Sequence, residues 1–89
     1  MRKHFHIRVR GFVQGVFFRY TAKEEAEKLH ISGFARNEPD GSVYIEAEGE
    51  EEDLNRFLTW CHNGPGAAKV KNVEVGDGEV RDFQEFEIR

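Results

Sequence analysis

Residues 11–19 read Gly-Phe-Val-Gln-Gly-Val-Phe-Phe-Arg, with two glycines among bulky apolar residues and an arginine at the end. A core strand would not choose Gly11 and Gly15, and a surface loop would not choose Phe12, Val13, Val16, Phe17 and Phe18. A glycine-containing turn that leads from a strand into a helix has a specific use. It gathers main-chain N–H groups that have no acceptor inside the helix, and together with the helix dipole they favour an anion. Gly15 can take positive φ and let the main chain close round a tetrahedral oxyanion. Arg19 then adds a permanently charged, planar fork that matches such oxygens. The stretch is not a Walker loop, because Gly15 is followed by Val16-Phe17 and not by Lys and Ser/Thr. On spacing alone, two readings stand: a rigid anion cradle with its own arginine, or an ordinary turn.

The elements that must position this stretch follow from periodicity. Residues 4–10 alternate, with Phe5, Ile7 and Val9 on one face and His4, His6, Arg8 and Arg10 on the other, the pattern of a half-buried strand. Gly11 to Phe18 interrupts it. Phe18, Ala22, Ala26 and Leu29 then have helical spacing, and Thr21 with Glu24 offers a capping box, so the helix begins between Phe18 and Ala22. Residues 33–49 read as a hairpin turned by Pro39-Asp40-Gly41-Ser42. The acids Glu50 to Asp53 suit a helix start. Leu54, Phe57, Leu58 and Cys61 form one apolar stripe, which Gly64-Pro65-Gly66 stops. Val70, Val73 and Val75 mark a fourth strand, and the run Phe83–Ile88 a short terminal one. The order is βαββαβ plus a short C-terminal strand. It predicts one ferredoxin-like α+β sandwich over residues 1–89, a mostly antiparallel sheet with two helices on one face.

Composition narrows the function. The 89 residues carry 13 basic and 17 acidic side chains, a net charge of −4 that argues against a nucleic-acid partner. The charge is uneven: residues 1–23 hold Arg2, Lys3, Arg8, Arg10, Arg19 and Lys23 and no acid, whereas the rest sums to −10. A small anion at the basic end is the natural ligand. The single cysteine, Cys61, forms no internal disulfide, and no apolar run is long enough to span a bilayer. The N-terminal decapeptide lacks the apolar centre of a signal peptide. These features lead to the expectation of a soluble, cytoplasmic protein with no membrane partner.

Val13-Gln14-Gly15-Val16-Phe17-Phe18-Arg19, followed eighteen residues after Arg19 by Asn37 in Gly-Phe-Ala-Arg-Asn-Glu-Pro-Asp-Gly-Ser-Val, resembles the small acylphosphatases. The likeness runs from about Ile7 onward and includes Ala-Glu-Gly before the second helix and Gly-Pro-Gly-Ala-Ala-Lys-Val after it. Phe12 departs from the family pattern, which often has a basic or polar residue there. The resemblance implies hydrolysis of a carboxyl–phosphate anhydride, a small-molecule acyl phosphate, without metal or cofactor. It further implies that Arg19 binds phosphate, that Asn37 orients the attacking water, and that the main chain of Phe12, Val13, Gln14, Gly15, Val16, Phe17 and Phe18 forms the cradle.

Other features read as structural. His4 and His6 read as surface residues with no third metal ligand at a telling spacing. His30 and His62 fall near helix ends, Cys61 in the core and Trp60 in partly buried packing. An RNA-reading domain shares the βαββαβ order, but the aromatic motif Arg10–Phe17 fails at Val13, Gln14 and Gly15 and follows the wrong strand. A non-catalytic anion-binding or regulatory module is the alternative reading.

Overall fold

The computed structural model describes residues Met1–Arg89. Five strands and two helices alternate along it: β1 (Arg2–Phe12), α1 (Phe18–Lys28), β2 (Ser32–Asn37), β3 (Val43–Glu50), α2 (Glu51–Cys61), β4 (Lys69–Gly78) and β5 (Phe86–Ile88). The sheet order is β4-β1-β3-β2-β5. The pairs β4–β1, β1–β3 and β3–β2 are antiparallel, and β5 joins β2 in parallel. This is the ferredoxin-like α+β sandwich with one added edge strand.

Period-two patterning explains the layering. Phe5, Ile7 and Val9 of β1 sit with Val43, Ile45 and Ala47 of β3 on one face, where α1 contributes Phe18, Ala22 and Ala26 and α2 contributes Leu54, Phe57 and Cys61. Phe18, Phe57 and Phe86 are the largest fully buried side chains, and Phe57 meets Phe86 edge to face at 6.1 Å. Trp60 packs over both Phe18 and Phe57, as its flanking position suggests. Burial of side chains this size contributes about 1.5–3 kcal/mol each.

Two boundaries and one helix cap differ from the sequence expectation. β1 continues through Gly11 and Phe12, because a register shift between Arg10 and Gly11 lets the strand bend and still pair with β4. Gly11 makes that possible: its φ is 132°, and a Cβ there would lie 2.2 Å from the Lys69 carbonyl oxygen. The Thr21–Glu24 capping box does not form. The helix begins at Phe18 after a left-handed Phe17, and Thr21 Oγ1 donates back to the Phe17 carbonyl at 2.9 Å. The terminal strand is limited to Phe86–Ile88.

Phe83, excluded from that strand, instead covers the sheet face opposite the helices, and this corrects the reading of His4. His4 is fully buried beneath the Phe83 ring, with ring centroids 5.9 Å apart. Across the β1–β3 ladder His4 faces Glu48 and His6 faces Glu46. His4 Nδ1 lies 2.7 Å from Glu48 Oε2. Glu48 also accepts the main-chain N–H of Phe83 at 3.0 Å and that of Arg81. Burial pushes the Glu48 carboxyl up, but the Arg81 amide, the His4 ring and the Phe83 amide together hold it below its ordinary value of 4.5. Tyr44 on the same face is pushed up to about 12, by burial and then by its hydrogen bond to Glu46.

Glu48 therefore fastens residues 81–83 to the sheet. Glu48→Gln replaces one acceptor oxygen by a donor facing amide hydrogens, and should cost about 2–3 kcal/mol in urea unfolding. Because the native carboxyl titrates below its unfolded value, its contribution is complete above the ordinary carboxylate range. It is lost as pH falls through the lower native value. Stability measured from pH 6 downward should accordingly fall less steeply in Glu48→Gln than in the wild type.

Candidate active site

Between β1 and α1 the chain turns through Val13–Phe17 with an alternating sign of φ. Gly15 has φ of 74° and Phe17 of 63°, whereas Gln14 and Val16 have none of the positive values. Such alternation points successive N–H groups into one concavity, an anion-binding nest. None of the main-chain N–H groups of Gln14, Gly15, Val16 or Phe17 donates to a protein acceptor. Phe17 is a non-glycine residue held in the left-handed region, where strain is of order 1–3 kcal/mol and clusters at functional sites. Buried Val13, Val16 and Phe18 anchor the turn in the core and keep it from relaxing.

A cavity of about 290 Å³ opens over this turn, lined by Val13, Gly15, Phe17, Phe18, Arg19, Tyr20 and Asn37. Arg19 reaches it from the first turn of α1 and Asn37 from the end of β2. The Asn37 side chain is exposed and makes no hydrogen bond within the protein. Its position is set by Gln14, whose Nε2 donates to the carbonyls of Glu38 at 2.8 Å and Ser42 at 2.9 Å. Gln14 thus joins the nest to the β2–β3 turn next to Asn37. That turn is tied internally as well, by Asp40 Oδ1 accepting from the Ser42 amide and hydroxyl. Those two bonds, with a weaker contribution from Arg10, hold Asp40 down at about 2.

The basic N-terminal segment looks different once folded. Arg2 approaches Glu48 at 3.5 Å, Lys3 Glu51 at 3.1 Å, Arg8 Glu38 at 3.6 Å, Arg10 Asp40 at 3.1 Å and Lys23 Glu27 at 3.1 Å. Arg19, the remaining cation of the six, has no carboxylate side chain against it. Its NH1 donates to the main-chain oxygen of Arg89 at 2.8 Å, which fixes the guanidinium at the cavity edge.

The structure brings Arg19, Asn37 and the turn together as lining of one cavity. Phe12 belongs to β1, opposite Lys69, and its exposed ring does not line the cavity. Gln14 and Val16, also expected in the cradle, do not line the cavity: the Gln14 side chain turns to the β2–β3 turn and Val16 into the core. Sequence reasoning missed Tyr20 and the Arg89 oxygen. Tyr20 follows Arg19 on a helix whose start faces the cavity, which was a usable signal; Arg89 lies 70 residues away and left none.

Fold and site together define a ferredoxin-like protein with a turn of unpartnered amides beside a cavity at its first strand–helix junction. The acylphosphatase family model matches residues 5–88. An acylphosphatase of Nocardioides is 44% identical over the whole chain, which covers 90% of that relative. Among solved structures, an acylphosphatase from Coxiella burnetii superposes with a TM-score of 0.96 at 35% identity, covering 99% of this chain and 93% of that one. The acylphosphatase of Bacillus subtilis gives 0.95 at 37% identity, covering 100% and 99%. The chain belongs to the acylphosphatase family, and its activity is hydrolysis of acyl phosphates.

The nest should depend on main-chain conformation more than on side-chain bulk. Around Gly15 there is open space for a Cβ, but φ of 74° imposes about 1–2 kcal/mol on any L side chain. Gly15→Ala should weaken competitive inhibition by inorganic phosphate about tenfold, whereas Gln14→Ala should lower turnover by detaching the turn beside Asn37. Steady-state kinetics with phosphate as inhibitor reads both.

Proposed function

We propose that the nest and Arg19 hold the phosphoryl group of an acyl phosphate while Asn37 orients the water that attacks phosphorus. The P–O bond to the acyl group breaks and the products are a carboxylate and inorganic phosphate. The observation that carries this reading is a single cavity with unpartnered main-chain amides on one wall and Arg19 and Asn37 on the others.

An acyl phosphate is already activated by its carboxylate leaving group, so positioning and charge stabilisation supply most of what catalysis needs. The fixed amides and the guanidinium meet the negative charge of the phosphoryl oxygens. No carboxylate, imidazole or thiol lines the cavity, so the proton lost by the attacking water passes to a phosphoryl oxygen of the substrate. An amide at position 37 suits this arrangement. It accepts a hydrogen bond from water without repelling phosphate, as a carboxylate would, and its N–H₂ can still donate to a phosphoryl oxygen. The single cysteine, Cys61, is buried and free, so the fold depends on no disulfide, which supports a reducing, cytoplasmic compartment.

Arg19 meets charge in both ground and transition states, so Arg19→Ala should raise the phosphate inhibition constant and lower kcat together. Asn37→Ala should lower kcat by about 10²–10³ while phosphate affinity stays near wild type. Release of phosphate from benzoyl phosphate, with and without chelator, measures all of this. Equal loss of kcat and phosphate affinity in Asn37→Ala would remove the water-positioning role, and chelator-sensitive release would remove metal independence.

A further inference from the structure

The sheet face away from the helices carries a second constellation, at the opposite end of β1 from the nest. His4 and His6 stand two residues apart on β1, and Glu46 lies directly across from His6 on β3. One ligand-capable atom from each of the three falls within 4.8 Å of the others. Glu46 Oε1 is 3.0 Å from His4 Nε2, and its Oε2 is 3.6 Å from His6 Nδ1. Tetrahedral coordination with bonds of about 2.0–2.1 Å sets neighbouring ligands roughly 3.3 Å apart, so the two histidine–carboxylate separations already suit it, and the three ligand atoms, all within 4.8 Å, must draw in round the ion.

The His4 ring is prepared further by its other nitrogen. Nδ1 faces the buried Glu48 carboxylate at 2.7 Å, and Glu48 is held in turn by the Arg81 and Phe83 amides. A carboxylate behind a histidine in this way fixes the tautomer and aims the second nitrogen at a metal. With Nδ1–H donating to Glu48, Nε2 presents a lone pair, buried from solvent, to a second carboxylate oxygen. Two acceptors in that position require a cation between them, which is either a proton or a metal ion.

We propose that His4 Nε2, His6 Nδ1 and Glu46 form a binding site for a divalent transition-metal ion of the zinc class. Imidazole and carboxylate donors in this number suit Zn²⁺ over Ca²⁺ or Mg²⁺, which need all-oxygen shells. Tyr44 now bridges His6 Nδ1 and Glu46 Oε2 at 2.8 Å each. On binding it gives up His6 and keeps its donation to Glu46. The ion enters past His6, the half-buried and most accessible member of the three, and fills its remaining position with water. Its effect is to clamp β1 to β3 and, through Glu48, to residues 81–83. It takes no part in the chemistry of the anion cavity, none of whose lining residues it touches.

The test uses the full chain, stripped by chelator and dialysed, and titrated with Zn²⁺ by calorimetry and with Co²⁺ by visible absorption. One equivalent should bind, Co²⁺ should give a four-coordinate spectrum, and Zn²⁺ should raise Tm. His6→Ala and Glu46→Gln, each first shown to be folded by circular dichroism, should each weaken binding by about 100-fold and lose the Tm shift. Hydrolysis of benzoyl phosphate by His6→Ala should match the wild type. Failure of wild type to bind a stoichiometric ion would overturn the proposal. So would binding that persists in both variants, which would place the ion on other groups.

Discussion

The N–H groups of residues 14–17 are left without acceptors by the path of the chain itself, and this end of the molecule is organised round that constraint. Unpaired amides gain by meeting water or an anion, and a loop free to move would turn some of them toward its own carbonyls. Here packing and hydrogen bonds oppose that rearrangement. Val13, Val16 and Phe18 are buried on either side of Gly15, and the Gln14 amide is bonded to two carbonyls of the neighbouring turn. The left-handed conformation of Phe17 is the visible cost, and the packing around it is what sustains that strain.

Charge pairing sharpens the same site by subtraction. Acids from α2, the β2–β3 turn and β4 meet most of the cations that precede Lys23, so the broad positive field suggested by the linear sequence does not exist in the folded protein. These pairs are exposed for the most part and contribute little stability individually. Their consequence is that, of the six cations up to Lys23, Arg19 alone has no carboxylate side chain against it and lines the cavity instead.

The opposite sheet face shows how the cost of burying polar groups is offset by partners. Every buried side-chain nitrogen and oxygen in the molecule has a hydrogen-bond partner. Glu48 and His4 satisfy each other and the amides of an otherwise irregular segment, and Phe34, Tyr44 and Phe83 pack aromatic edges and faces around them. Such a fully connected network confers order where a half-connected one would destabilise. It gives the 79–85 segment a defined path without secondary structure of its own.

Most of the architecture was legible in the sequence, because local periodicity records which face of each element meets the core. Phe5-Ile7-Val9, the Leu54-Phe57-Cys61 stripe and the Pro39–Ser42 turn each state their element outright, and their order leaves few topologies. That Gly15 introduces a turn at the strand–helix junction was legible too, and the structure gives it positive φ and places Arg19 and Asn37 on the lining of one cavity beside it. Tertiary structure decided the rest, for reasons of distance along the chain. Whether Thr21 or Phe17 caps α1 depended on how the turn packs. That Arg8 and Arg10 are neutralised, that Arg19 meets Arg89, and that His4 is buried between Glu46 and Glu48 under Phe83 all rest on contacts between residues 30 to 79 positions apart. No local pattern encodes such meetings; strand register and the final path of the chain create them.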